Sequence, residues 1–85
     1  MTNLINVVHP NGITEQKPIS SFDELQKIVG GFVDLEPLDN GSKRVAFNED
    51  AKMLGLPRNK AYPKFLGTIV YMSADTLQAL PFTNQ

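Results

Sequence analysis

His9 is the single histidine of an 85-residue chain that contains no cysteine. Histidine chemistry, nucleophilic or metal-assisted, needs a partner such as Cys, a second His or a carboxylate. With no second histidine, His9 reads first as a turn residue with a solvated ring. Asp34 and Glu36 stand two apart and would share one face of a strand. Buried in a cleft, such a pair could hold a divalent cation or do acid–base work; on an outer sheet face it is simply solvated. Glu49 and Asp50 read as charge at a helix start, and neither acidic group has the glycine and spacing of a calcium loop. Gly30-Gly31 follows a helical pattern, whereas phosphate-binding glycines follow a strand and open a helix, so the pair reads as a C-cap. Nothing in these residues calls for a cofactor.

Charge is distributed unevenly. Residues 1–50 carry four basic and eight acidic side chains; residues 51–74 carry Lys52, Arg58, Lys60 and Lys64 and no acid. Three of those cations lie in Arg58-Asn59-Lys60-Ala61-Tyr62-Pro63-Lys64, interleaved with an amide and an aromatic. An irregular loop of this content could clamp a phosphate-bearing small molecule while Tyr62 stacks on a base, or could meet an acidic protein surface. Arg58, Asn59, Lys60, Tyr62 and Lys64 are therefore the candidate binding residues, against the plain alternative of a solvated loop. General DNA binding is disfavoured, because the chain as a whole has a net charge of −1 and a nucleic-acid footprint normally raises the pI.

The elements that must position these residues can be read in order. Leu4 to Val8 reads as a strand, and His9-Pro10-Asn11-Gly12 as a bulged three-residue hairpin loop returning through Ile13 to Lys17. Pro18 is expected to end that strand. Ser20 to Gly31 holds the clearest helix: Ser21 and Glu24 form a capping box, and Phe22, Leu25, Ile28 and Val29 form one apolar stripe. Phe32–Leu38 and Lys43–Asn48 form a second hairpin around Asp39-Asn40-Gly41-Ser42. Matching faces favours a loop of Asp39-Asn40-Gly41, pairing Leu35 with Val45, Val33 with Phe47 and Glu36 with Arg44. Residues 48–54 could form a helical turn capped by Asn48, and residues 55–67 are expected to be irregular. Thr68–Met72 reads as a buried strand, and Ser73–Leu80 as a short helix capped by Ser73 and ended by Pro81. The expectation is one α+β domain over residues 1–85: a small, mainly antiparallel sheet of four to five strands with one main helix on one face.

If the helix covers one sheet face only, Phe32, Val70 and Met72 are candidates for an outward patch at a dimer or partner interface. The alternative is that both faces are covered, one of them by the C-terminal segment with Leu77, Leu80 and Phe82.

The ordered motifs Val29-Gly30-Gly31, Pro37-Leu38, Asn48-Glu49-Asp50, Gly55-Leu56-Pro57-Arg58-Asn59-Lys60-Ala61 and Leu66-Gly67 span roughly residues 20–72. In this order they resemble a small uncharacterised family of bacteriophages, plasmids and bacteria. The resemblance implies a mobile-element accessory protein acting in the cytoplasm of a bacterial host cell, and it supplies no activity. Members often carry a longer insertion before the last strand; here only Tyr62-Pro63-Lys64-Phe65 intervene, which leaves less room for a deep pocket.

Composition bounds the rest. Hydrophobic residues are 41% and charged residues 20%, which fits a globular chain rather than a disordered one. No apolar stretch approaches the ~20 residues of a membrane span, and the first residues do not read as a secretory signal. A chain this short buries only roughly 60% of its unfolded surface, so self-association or a partner would help it. The leading expectation is a non-enzymatic protein that binds and modulates a host protein, for example as an inhibitor. The alternative is a ligand-sequestering module, in which the 58–64 loops of a homo-oligomer hold a nucleotide-like anion.

Overall fold

In the computed structural model, residues 3–80 are described. They form β1 (Asn3–Val8), β2 (Thr14–Ile19), α1 (Phe22–Val29), β3 (Val33–Leu38), β4 (Lys43–Asn48), α2 (Ala51–Leu54), β5 (Ile69–Ser73) and α3 (Ala74–Ala79). All five strands join one antiparallel sheet in the order β2-β1-β5-β4-β3. The α+β expectation holds, with five strands. Each hairpin thus contributes its first or second strand to the centre, and β5 inserts between them.

The first hairpin closes as its turn residues dictate. The Gly12 N–H donates to the His9 carbonyl and the His9 N–H to the Ile13 carbonyl, with Gly12 at φ +92°. Pro18, expected to end β2, lies inside it opposite Leu4. The reason is its side of the ladder. Because His9 and Ile13 form a hydrogen-bonded pair, alternation turns the backbone groups of Thr14, Gln16 and Pro18 outward, where no donor is needed.

The second hairpin takes the register that face matching disfavours. Leu38 pairs with Lys43, Glu36 with Val45, Asp34 with Phe47 and Leu35 with Ala46, and Arg44 lies opposite Pro37 rather than Glu36. Asp39 and Asn40 both adopt left-handed backbone (φ 52° and 57°), closing a tight turn through the Gly41 N–H to the Leu38 carbonyl. Such turns match the twist of paired strands. On the face this register fills, Glu36 is met by Lys64 of the segment that crosses the sheet.

On one face of the sheet, Ile5, Val7, Ala46, Val70 and Met72 are buried against Leu25 and Val29 of α1 and against Leu80, with Phe22, Ile28, Val33 and Leu77 packed around them. The stripe read from sequence is the stripe that packs. The predicted capping box is displaced by one residue: Ser21 occupies the N-cap without a side-chain bond. The Glu24 carboxylate instead accepts from the backbone N–H and the hydroxyl of Ser20. Gly30 caps the C-terminus in left-handed conformation. Asn48, buried, then ties helix to sheet by donating to the Val29 carbonyl while its Oδ1 accepts from the Asp50 N–H. Asp50, not Asn48, is the N-cap of α2. Ser73 caps α3 as read, accepting from the Thr76 N–H at 3.0 Å; Pro81 and Phe82 lie outside the described residues.

Both faces are covered, but not by the C-terminal segment on the far side. Leu77 and Leu80 join the α1 layer, and the opposite face, with Val8, Val45 and Ile69 buried, lies under Phe65 and Tyr62 of the irregular segment 55–67. Val70 and Met72 are therefore core residues, not an outward patch: α1 and α3 cover them. Of the three candidates for that patch, only Phe32 is exposed.

Candidate functional site

The segment 55–67 is irregular, as its prolines and glycines require, yet it is tightly tethered. Arg58 bridges Leu66. The Asn59 N–H donates to the Phe65 carbonyl, the Gly67 N–H to that of Pro57, and the Lys60 N–H to that of Pro10 on the first hairpin.

At its centre is Asn59, which is fully buried. Its Nδ2 donates to the carbonyls of Val8 (3.1 Å), His9 (3.2 Å) and Gly67 (3.0 Å). Its Oδ1 accepts from the N–H groups of Ala61 (3.0 Å) and Tyr62 (3.1 Å). An amide offers two donor hydrogens and one acceptor oxygen, and all are used inside the protein. Asn59 therefore fastens the loop to β1 and has no capacity left for a ligand.

The other candidate binding residues are brought into one loop but not into one site. The Arg58 guanidinium donates to the Pro63 carbonyl at 2.7 Å. Tyr62 packs its ring against Tyr71, 6.1 Å between centroids, as part of the cover over the sheet. Lys64 is paired with Glu36 at 2.7 Å, and its ammonium lies 5.6 Å from the Phe65 ring centre. Among these candidates, the exposed Lys60 is the one whose side chain makes no hydrogen bond, ion pair or ring contact within the described residues. The base-stacking role expected for Tyr62 is filled by protein packing.

The acidic candidates are likewise engaged. Asp34 accepts from its neighbour's N–H, that of Leu35, at 2.9 Å, and Glu36 holds Lys64. Glu15 lies across the first hairpin from His9, whose Nε2 is 2.6 Å from its carboxylate. That hydrogen bond holds the Glu15 carboxyl below its ordinary value. Among the described residues, no three His, Cys, Asp or Glu side chains gather as a metal site would require.

What sequence reasoning missed is a cleft of about 230 Å³ between the second hairpin, α2 and the covering segment. Phe47, Phe65 and Leu66 give it an apolar wall, the two rings tilted at 44° with centroids 5.1 Å apart. The Glu36–Lys64 ion pair, Glu49 and Lys52 also line it. No pattern in the chain places residue 65 beside residue 47; only the folded segment does. Phe32, Met53 and Leu54, none of which lines it, stand 67%, 79% and 57% exposed. Phe32 and the start of α2 are joined by the bond from the Glu49 N–H to the Phe32 carbonyl, 2.9 Å.

No family profile, curated protein or solved structure matches the chain. Among the described residues, no helix is long and apolar enough to cross a membrane.

Proposed function

We propose that this chain is a small non-enzymatic binding protein that engages and modulates another protein of a bacterial host cell. The mobile-element setting comes from the sequence motifs. The observation that carries the reading is the exposure of Phe32, Met53 and Leu54, with the Phe32 carbonyl bonded to the Glu49 N–H just before α2. Large apolar side chains left in water on neighbouring segments are the mark of an interaction surface, and their loss from water supplies the drive for association. The basic loop argues less for an anion, because Asn59, Tyr62 and Lys64 are all engaged within the protein.

The test is capture from host lysate with the tagged chain, with mass spectrometry of the retained proteins and of small molecules released by heating. A stoichiometric protein that is lost with Phe32→Ser, Met53→Ser and Leu54→Ser combined, in a variant that still folds, supports the reading. Undiminished capture by that variant sinks it. A released nucleotide without any protein partner would favour the sequestering module instead.

A further inference from the structure

We propose that two copies of this chain pair along β2, antiparallel and centred on Gln16, so that their sheets join edge to edge. The occupant of this edge is thus a second copy. The contact lies at the opposite edge of the sheet from β3 and so leaves the Phe32 surface open.

β2 is an open edge. It borders β1 on one side only, and Thr14 to Pro18 are all exposed. Thr14, Gln16 and Pro18 turn their backbone groups away from β1, and none of those groups bonds to a loop or another strand among the described residues. An edge of this kind is a template for a further strand. The other edge differs. On β3 the bond between Glu49 and Phe32 fixes the ladder so that Val33, Leu35 and Pro37 face outward. The Leu35 N–H is taken by the Asp34 carboxylate, and Pro37 has no N–H to offer. Pairing two β3 strands about Leu35 would also set Asp34 against Glu36, two like charges.

The side chains of β2 choose both the partner and the register. With Gln16 opposite Gln16 of the partner subunit, Glu15 lies opposite the partner subunit's Lys17, and Lys17 opposite the partner subunit's Glu15. Glu15 and Lys17 turn their backbone groups toward β1, so both charge pairs fall at non-hydrogen-bonded positions, where side chains stand closest. Moving the two-fold centre by one residue sets Glu15 or Lys17 against its own copy, which is destabilising. His9 engages Oε2 of Glu15 and leaves Oε1 for the lysine. Lys17 makes no ion pair among the described residues. In this register Gln16 and its copy exchange two backbone bonds, and each Thr14 N–H donates to the Pro18 carbonyl opposite, where proline needs no N–H of its own. Ile13, 62% exposed, comes opposite the partner subunit's Ile19. Lysine and proline on an edge strand discourage indiscriminate pairing. Here they leave one self-complementary register, and a two-fold contact that uses both β2 edges closes at two copies.

The experiment follows mass by sedimentation equilibrium and amide exchange by nitrogen-15 NMR on the full chain, from micromolar to millimolar concentration. The mass should rise toward that of two chains, and the Thr14 and Gln16 amides should exchange more slowly as it does. Gln16→Pro removes an outward N–H, as Pro18 already does, and should stay monomeric. Glu15→Lys and Lys17→Glu, both at exposed positions, should each weaken self-association by about tenfold, because two favourable pairs become two repulsive ones. An equimolar mixture of those two variants restores opposite charges at both pairs and should associate as tightly as wild type. Wild type that stays monomeric at millimolar concentration, Thr14 and Gln16 amides that do not slow, a dimer that survives Gln16→Pro, or a mixture no tighter than either variant alone would overturn the proposal. The lysate capture probes a different surface, and its result stands or falls separately.

Discussion

Replacing Asn59 by Ala tests whether one amide holds the covering segment onto the sheet. The substitution removes five hydrogen bonds at a fully buried position. The Ala61 and Tyr62 N–H groups and the carbonyls of Val8 and Gly67 lose their side-chain partner. A buried polar group left unsatisfied costs roughly 1–3 kcal/mol. Even if local relaxation or entering water satisfies half of these groups, a loss of about 3 kcal/mol follows. A chain of 85 residues has a total stability of only about 4–13 kcal/mol at ~0.05–0.15 kcal/mol per residue. The loss is thus a large part of the whole. In urea, with a slope of about 1 kcal/mol per molar for so small a protein, the midpoint should fall by roughly 2–3 M. Asn59→Asp adds a second readout. It keeps an acceptor for Ala61 and Tyr62 but aims an ionised carboxylate at three carbonyls, so its folded pKa must lie above its unfolded one. Its deficit should therefore be smallest in acid and grow as pH rises through the folded pKa. An Asn59→Ala midpoint within about 0.5 M of wild type would refute the reasoning, as would a pH-independent deficit for Asn59→Asp.

Gly67→Ala should cost about 2 kcal/mol or more. Its φ is +79° and the new methyl would lie 2.8 Å from Leu56 Cδ1, adding a clash to the ~1–2 kcal/mol of left-handed backbone; a thermal midpoint unchanged from wild type contradicts this. Glu15 and Glu24 are held below the ordinary 4.5, chiefly by their hydrogen bonds to His9 and Ser20 respectively. Lowered folded pKa values favour the native state above about pH 4.5, and that contribution vanishes as pH falls through them. Glu15→Gln with Glu24→Gln should flatten the acid limb of a stability–pH curve, and an unaltered limb would count against both bonds. Replacing Pro37 by Val together with Asp34→Ala restores one outward N–H on β3 and frees another. Light scattering should then show a larger associated fraction than in wild type at the same concentration; a variant whose mass matches wild type shows that these two residues do not guard the edge.

Most elements were legible in the sequence because their signals are local. The Pro10-Asn11-Gly12 turn, the α1 stripe, the Ser73 cap and the irregular 55–67 segment each depend on residues close in the chain. Two readings failed where the deciding contact is distant. Pro18 ends a strand only if its missing donor faces a neighbour, and whether β2 is an edge depends on β5, about 50 residues on. The β3–β4 register was argued from a sheet with one wet face. In the fold, Glu36 shares its face with Val45 and Phe47 and is satisfied by Lys64 from the covering segment, so the apparent mismatch vanishes. The basic loop shows the converse error. Its composition resembles a ligand clamp, but Asn59 and Tyr62 face inward to bond and pack. The cleft was invisible for the same reason, since Phe47 and Phe65 meet only after that segment has folded across the sheet.

The strand order also has a consequence for how the molecule comes into being. β5 is the central strand of the sheet and the last strand in the chain. During synthesis both hairpins are complete before residue 69 exists, yet neither has a partner to pair with, because each borders β5 and not the other. The closing contacts, Asn6 to Tyr71 and Val8 to Ile69, carry the full entropic burden of a long loop. Until they form, the nascent chain is two separate ribbons with their apolar sides open. The native sheet is therefore closed late and at its centre, where β5 joins two hairpins that already exist, rather than extended from one edge to the other.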